Sequence, residues 1–303
     1  MRSIKLGDRE ASAVALGCMR LADRTLKQAE EVISTALDCG ITLFDHADIY
    51  GKGRAEELFG QVLSRNPGMR DKMLLQTKCG ICPGYYDLSY AHIMDSVESS
   101  LRKLGTDRLD VLLFHRPDIL AEEEEVCRAV GELKRQGKVL AFGVSNMEPD
   151  QIRLLEGWTG EKMVADQLQL SLMHAGMVTR SINVNMDNRE CRSETGGLLP
   201  FCRRENMALQ AWSPLQFGMF KGCFVGDSAF PELNKTLDAL SEKYGVTPAA
   251  VALAWILRIP GRMQTVLGSR DPVHIREACA AADVRLTRPE WYELYRACGY
   301  AQP

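Results

Sequence analysis

Short apolar runs alternate with amphipathic stretches along almost the whole chain. The runs are Ala13–Leu16, Ile41–Phe44, Met73–Gln76, Leu109–Phe114, Val139–Val144, Met163–Leu168, Ala208–Trp212 and Thr265–Leu267. Short continuous runs of this kind fit strands buried on both faces, as in a parallel sheet. Between them lie helix patterns with readable ends. Thr25-Leu26-Lys27-Gln28 is a capping-box pattern opening a helix that stops near Gly40. Ser89 can cap a helix carrying Ile93, Val97, Leu101 and Leu104 and ending at Gly105. A third helix is expected over Leu120–Arg135, ending at Gly137, and Thr247-Pro248 opens a fourth that runs through Arg258. The first strand is expected near residue 12, and the last helix reaches the C-terminal end.

Strand–helix alternation repeated eight times predicts an α/β fold, a closed (β/α)8 TIM barrel of one domain over residues 1–303, with its active site at the C-terminal face of the strands. A doubly wound open sheet is the rival. It would need a Gly-rich turn after an early strand, and the chain contains no G-x-G-x-x-G. Two stretches exceed ordinary connections, residues 79–88 and 174–199. Both follow strands and so fall on the C-terminal rim, where long loops act as lids or substrate walls. For the second, a disordered surface insertion is the alternative.

Length and charge narrow the function. The 303 residues carry 37 Lys plus Arg against 40 Asp plus Glu, a formal charge of −3. Neither nucleic acid nor an anionic membrane is expected as a partner, since both favour a strongly basic face. No apolar stretch is long enough to span a bilayer. Ten irregularly spaced cysteines without a signal-peptide pattern point to a reducing, cytoplasmic setting.

At the expected strand ends stand titratable residues. The second strand ends in Asp45 and leads to Tyr50, the third ends in Lys78 and the fourth in His115. Singly, each has a structural reading as a cap, an ion-pair partner or a loop residue. Together they describe a proton donor. A tyrosine hydroxyl, with a pKa near ~10, is expected to be lowered by a neighbouring Lys⁺, and a carboxylate beside that Lys keeps it charged and oriented. A neutral His can donate a hydrogen bond to a substrate oxygen. No member of the set is activated for covalent catalysis, so the site calls for a nicotinamide as hydride source.

The chain resembles the aldo-keto reductases over almost its whole length. The matching motifs are FDHADIYG (44–51), TKCG (77–80), SLRKLGTDRLDVLLFHRPD (100–118), FGVSN (142–146), ADQLQLS (165–171), AWSPL (211–215) and LGSRDPVHIREA (267–278). Among subgroups it is most similar to bacterial oxidoreductases with the DHADIYG and HRPD forms. The resemblance implies reduction of an aldehyde or ketone, with Tyr50 as general acid, Lys78 tuning it, Asp45 pairing with Lys78 and His115 orienting the carbonyl. Ser145, Asn146 and Gln167 would hold the nicotinamide carboxamide beside Asp45 and Met19, with Trp212 stacked on the ring. Ser213, Pro214, Leu215, Gly218 and Lys221 would follow the pyrophosphate. Gly268, Arg270, His274 and Glu277 fall at the adenosine end. Arg270 suits a 2′-phosphate, which favours NADP(H), with NAD(H) as the alternative. His274 and Ala278 depart from residues common in the family, and Arg276 is displaced from its usual basic position.

Other readings compete. Cys79-Gly80-Ile81-Cys82 is a CxxC, but zinc would need further ligands and no second CxxC supplies them. His46 and Asp48 near His115 could belong to a metal-dependent hydrolase, which needs more convergent His than five residues without an H-x-H pair offer. No metal site is expected. Met19, Met147, Met173, Met177 and Met219 are either core filler or an adaptable substrate wall, and Tyr85 and Tyr86 are similar wall candidates. The acidic run Glu122–Glu125 suits a helix N-terminus. A different class of function, a nucleotide-binding sensor or scaffold, could keep the whole motif set. Physiological substrate and oligomeric state are not encoded legibly.

Overall fold

A computed structural model describes residues 1–192 and 197–302. Twelve strands and eleven α-helices are present among them. The chain opens with a hairpin, β1 (Ser3–Leu6) and β2 (Arg9–Ser12), and then enters a barrel. Its strands are β3 (Val14–Gly17), β4 (Leu43–Asp45), β5 (Leu74–Cys79), β8 (Val111–Phe114), β9 (Phe142–Ser145), β10 (Met163–Gln169), β11 (Ala208–Trp212) and β12 (Arg262–Leu267). All eight pair in parallel, and β12 returns to β3 to close the ring. A second short hairpin, β6 (Ile81–Cys82) and β7 (Tyr85–Tyr86), stands on the rim after β5.

The outer ring contains α1 (Leu26–Asp38), α2 (Arg54–Arg65), α3 (Tyr90–Leu104), α4 (Glu123–Arg135), α5 (Pro149–Thr159), α6 (Gly176–Ile182), α7 (Leu198–Arg204), α8 (Pro231–Tyr244), α9 (Pro248–Leu257), α10 (Pro272–Cys279) and α11 (Arg288–Ala297). The caps are those that the side chains dictate. Thr25 and Gln28 close a reciprocal capping box on α1. Ser89 and Thr247 accept the backbone N–H of His92 and Ala250 at the starts of α3 and α9. Helix α9 is buried all round, and its Trp255 stacks on Trp291 of α11 at 4.8 Å. Each indole donates to the other's backbone carbonyl. No helix among the described residues is long and apolar enough to cross a membrane.

Two expectations need correction, and one alternative falls away. The first strand does not begin near residue 12. The hairpin Ser3–Ser12 precedes it, burying Ile4, Leu6 and Ala11 against the N-terminal end of the barrel while its charged residues face out. Helix α4 begins at Glu123 rather than Leu120, because Asp118 Oδ1 accepts the N–H of Leu120 and holds that residue in a turn, leaving Ile119 and Leu120 exposed. The described part of 174–199 is no loose insertion. Helix α6 buries Met177 and Val178, and buried Asn183 donates to Tyr295 Oη and the Ala301 carbonyl. Residues 193–196 of that stretch lie outside the described residues.

Candidate active site

The parallel register decides which side chains meet at the barrel mouth. Asp45 stands opposite Gln76 on β5, and Lys78 stands two residues further along the same strand. Tyr50 follows β4 through a tight turn in which Gly51, Lys52 and Gly53 all take positive φ. A Cβ on Gly51 would lie 2.4 Å from the Cβ of Ala22, so only glycine fits there. The turn brings the Tyr50 hydroxyl within 3.2 Å of Lys78 Nζ. That ammonium donates to both oxygens of Asp45 at 2.7 Å and to the His46 carbonyl at 2.9 Å. The His115 ring stands edge-on to Tyr50, 6.2 Å between centroids. All four residues of the expected tetrad therefore converge.

Their electrostatics differ from expectation in one respect. Burial pushes the Tyr50 hydroxyl up, Lys78 pulls it down, and the net direction is up. The expected lowering by Lys78 is present but outweighed by desolvation. A phenol held high stays protonated at neutral pH, which suits a proton donor. Burial alone would lower Lys78, but the Asp45 carboxylate and Tyr50 raise it, so it stays an ammonium. Burial, Lys78 and Arg116 together drop His115 to about 3, leaving a neutral imidazole. Its Nδ1 is buried and has no partner among the described residues.

Beneath the tetrad lies a buried amide network that the sequence reading missed. Gln76 and Gln167 each donate to Asp45 Oδ1, at 2.6 and 3.0 Å. Both also donate to Gln210 Oε1, and Gln210 donates back to Gln76 Oε1 and onward to Gln264. Gln264 ends the chain on the Ser12 carbonyl. The available signal was a glutamine within or directly beside the apolar run of each of β5, β11 and β12. Asp166 of β10 was also missed. It is fully buried, and burial pushes it up to about 8.

The next group of expected residues gathers on β9, β10 and β11. Ser145 donates to the Gln167 carbonyl and accepts from Asn146 Nδ2. Asn146, at φ +58, accepts from Trp212 Nε1 at 3.2 Å. A cavity of about 340 Å³ opens beside them, lined among others by Arg116, His174, Met177, Trp212 and Met219. Met147 and Met177 are buried and yet line it, so they serve both core and wall. Met173 packs against the core, and Met19 lies exposed after β3. Tyr85 and Tyr86 are exposed on β7. After β11, Ser213, Pro214, Leu215, Gly218 and Lys221 run through a folded-back segment. In it Phe224 donates to the Leu215 carbonyl, and Lys221 to that of Gly218. At the far rim Gly268, Arg270, His274 and Glu277 are exposed. Arg270 is 3.8 Å from Asp23, and His274 is 4.0 Å from Asp271.

The family model described as the aldo/keto reductase family matches residues 13–297. The chain is 36% identical over 310 aligned residues to a 6-dehydroglucose reductase of Agrobacterium fabrum, covering 97% of each. It is 28% identical to an NADH-specific methylglyoxal reductase of Escherichia coli, over 85% of this chain and 83% of the other. A solved structure of a thermostable aldo-keto reductase with the inhibitor epalrestat superposes with a TM-score of 0.79. It shares 26% identity and is matched over 98% of this chain and 100% of that one.

Proposed function

This chain belongs to the aldo/keto reductase family, and from that premise we propose that it reduces an aldehyde or ketone to an alcohol using NADP(H) in preference to NAD(H). The observation that carries this reading is the contact of Tyr50 with a buried ammonium that is itself clamped by Asp45.

The residues present fit a nicotinamide. Gln167 spends its amide hydrogens on Asp45 and Gln210, and no donor among the described residues reaches its Oε1. Trp212 is tethered through Nε1 to Asn146 and keeps a half-buried ring face. An acceptor and a flat apolar surface side by side suit a carboxamide-bearing ring. When bound, the reduced cofactor supplies a hydride to the carbonyl carbon. His115, neutral, donates a hydrogen bond to the carbonyl oxygen and orients it. Tyr50 gives its proton to that oxygen as charge develops there, and Lys78 steadies the phenolate left behind. In this reading the partner is a small carbonyl compound, with neither nucleic acid nor membrane involved. The ten free cysteines support a reducing, cytoplasmic setting. The sequence relatives named as reductases of 6-dehydroglucose and methylglyoxal make small oxygenated aldehydes the first panel to try.

The test is carbonyl-dependent NADPH oxidation across such a panel. Wild type turns over, and Tyr50→Phe loses on the order of 10²–10⁴ in kcat. Equal inertness of both proteins over the panel would instead favour the nucleotide-binding sensor or scaffold.

A further inference from the structure

The hairpin β6–β7 and the first turns of α3 bring together three side chains that the proposed reaction does not use. We propose that Cys82, Asp87 and His92 form a Zn²⁺-binding site on the rim of the barrel. One ligand atom from each lies within 4.8 Å of the others, and all three residues are half-buried. Cys82 Sγ is 3.8 Å from His92 Nδ1 and 3.9 Å from Nε2. Zinc–sulfur and zinc–nitrogen bonds of about 2.3 and 2.0 Å at a tetrahedral angle put a sulfur and a nitrogen about 3.5 Å apart. The pair is thus spaced for a shared ion once the imidazole turns to aim Nδ1 at it, because Sγ lies nearly equidistant from the two ring nitrogens.

The surroundings of the three residues agree with this. Ser96 Oγ sits 3.3 Å from His92 Nε2, on the other nitrogen of the ring, the kind of outer contact that fixes which nitrogen faces a metal. Asp87 Oδ1 accepts the Ser89 N–H at 2.8 Å, which orients the carboxylate and leaves Oδ2 available. Thiolate, imidazole and carboxylate together are a zinc donor set, and half-burial leaves the fourth position to water. The set also explains why the CxxC spacing misleads. Cys79 is buried in β5 and belongs to the barrel wall, while the partners of Cys82 come from the hairpin end and α3. Binding displaces the Cys82 thiol proton to solvent and joins the hairpin to α3. One wall of the mouth is thereby stiffened.

The experiment is anaerobic titration of the purified, metal-stripped protein with Co²⁺, followed by displacement with Zn²⁺. Wild type and Cys223→Ser, which removes an exposed thiol elsewhere, bind one equivalent with a thiolate-to-cobalt charge-transfer band that Zn²⁺ abolishes. Cys82→Ser loses the band, and His92→Ala and Asp87→Asn each weaken binding at least tenfold. Zn²⁺ also slows hydrogen exchange over residues 81–92 in wild type and not in Cys82→Ser, a readout independent of turnover. A band that survives in Cys82→Ser, or no thiolate band in wild type, overturns the proposal. Neither result bears on the carbonyl-reduction reading, since none of the three residues belongs to the tetrad or the cavity.

Discussion

The two ends of the proposed nucleotide site are built differently. Around Lys78 the charged pair is buried and matched, with the ammonium on Asp45, Tyr50 and the His46 carbonyl and the carboxylate on two glutamines. At the rim beyond β12, Arg270 and His274 are exposed and, among the described residues, make long contacts to carboxylates. The first region is fixed by the fold before any ligand arrives. The second presents exposed side chains on loose contacts. A chemical step needs the first arrangement, because reacting groups that must first organise themselves lose their advantage. Adenosine-end recognition tolerates the second.

The comparison is broken most forcefully at its buried end. Lys78→Met removes the only ammonium that touches Asp45 among the described residues and leaves a carboxylate inside the barrel with amide donors. Stranding one member of a buried pair costs about 3–5 kcal/mol. Urea unfolding of the variant should show that loss alongside absent turnover. A loss below about 1 kcal/mol would mean that the glutamine network carries the Asp45 charge without help, and the tetrad would no longer be the anchor of this region.

How much of each region could be read in the chain follows the same division. The eight barrel strands were legible because burial on both faces writes a largely apolar run, and Thr25, Ser89 and Thr247 marked helix starts through a purely local bond. Asp45, Tyr50, Lys78 and His115 were legible because each follows such a run. The glutamines were not. Gln76 and Gln210 are partners across 134 residues, and alone each looks like a flaw in a hydrophobic strand. The hairpin Ser3–Ser12 hides for another reason. Its strands are four residues long, buried on one face and charged on the other, a signal too short to stand out. The net rise of Tyr50 was illegible because burial is a property of the whole mouth, whereas the Lys78 neighbour was visible in a motif.

A smaller effect sharpens the buried side through pH. His46 is wholly buried, edge-on to Phe59, with neither ring nitrogen partnered among the described residues, and burial followed by Lys78 lowers it to about 3. The folded state therefore prefers the neutral ring, and its contribution is intact above the unfolded value near 6.5. It is lost as pH falls from there toward 3. At pH 5 the cost is about 2 kcal/mol from this residue, at ~1.4 kcal/mol per unit. His46→Leu keeps the backbone carbonyl that Lys78 uses and removes the titration. Between pH 7 and pH 5 the variant should lose about 2 kcal/mol less than wild type in denaturant unfolding. Parallel losses in both would place the acid sensitivity elsewhere.

The smallest effect belongs to the exposed end, and it separates the cofactors. Arg270 is 44% exposed, and its carboxylate contact among the described residues, Asp23, is itself 78% exposed, so the ion pair contributes little to folding. If its guanidinium meets a 2′-phosphate, it makes a charge-assisted bond that only NADPH can accept. Arg270→Ala should then raise the Kd for NADPH about tenfold, equivalent to ~1.4 kcal/mol, while leaving NADH binding and thermal stability unchanged. Fluorescence titration of the two cofactors against wild type and variant measures this directly. An equal loss for both would assign Arg270 to the shared pyrophosphate or adenosine. Tighter wild-type binding of NADH than of NADPH would reverse the preference proposed here, while leaving the buried tetrad and its chemistry untouched.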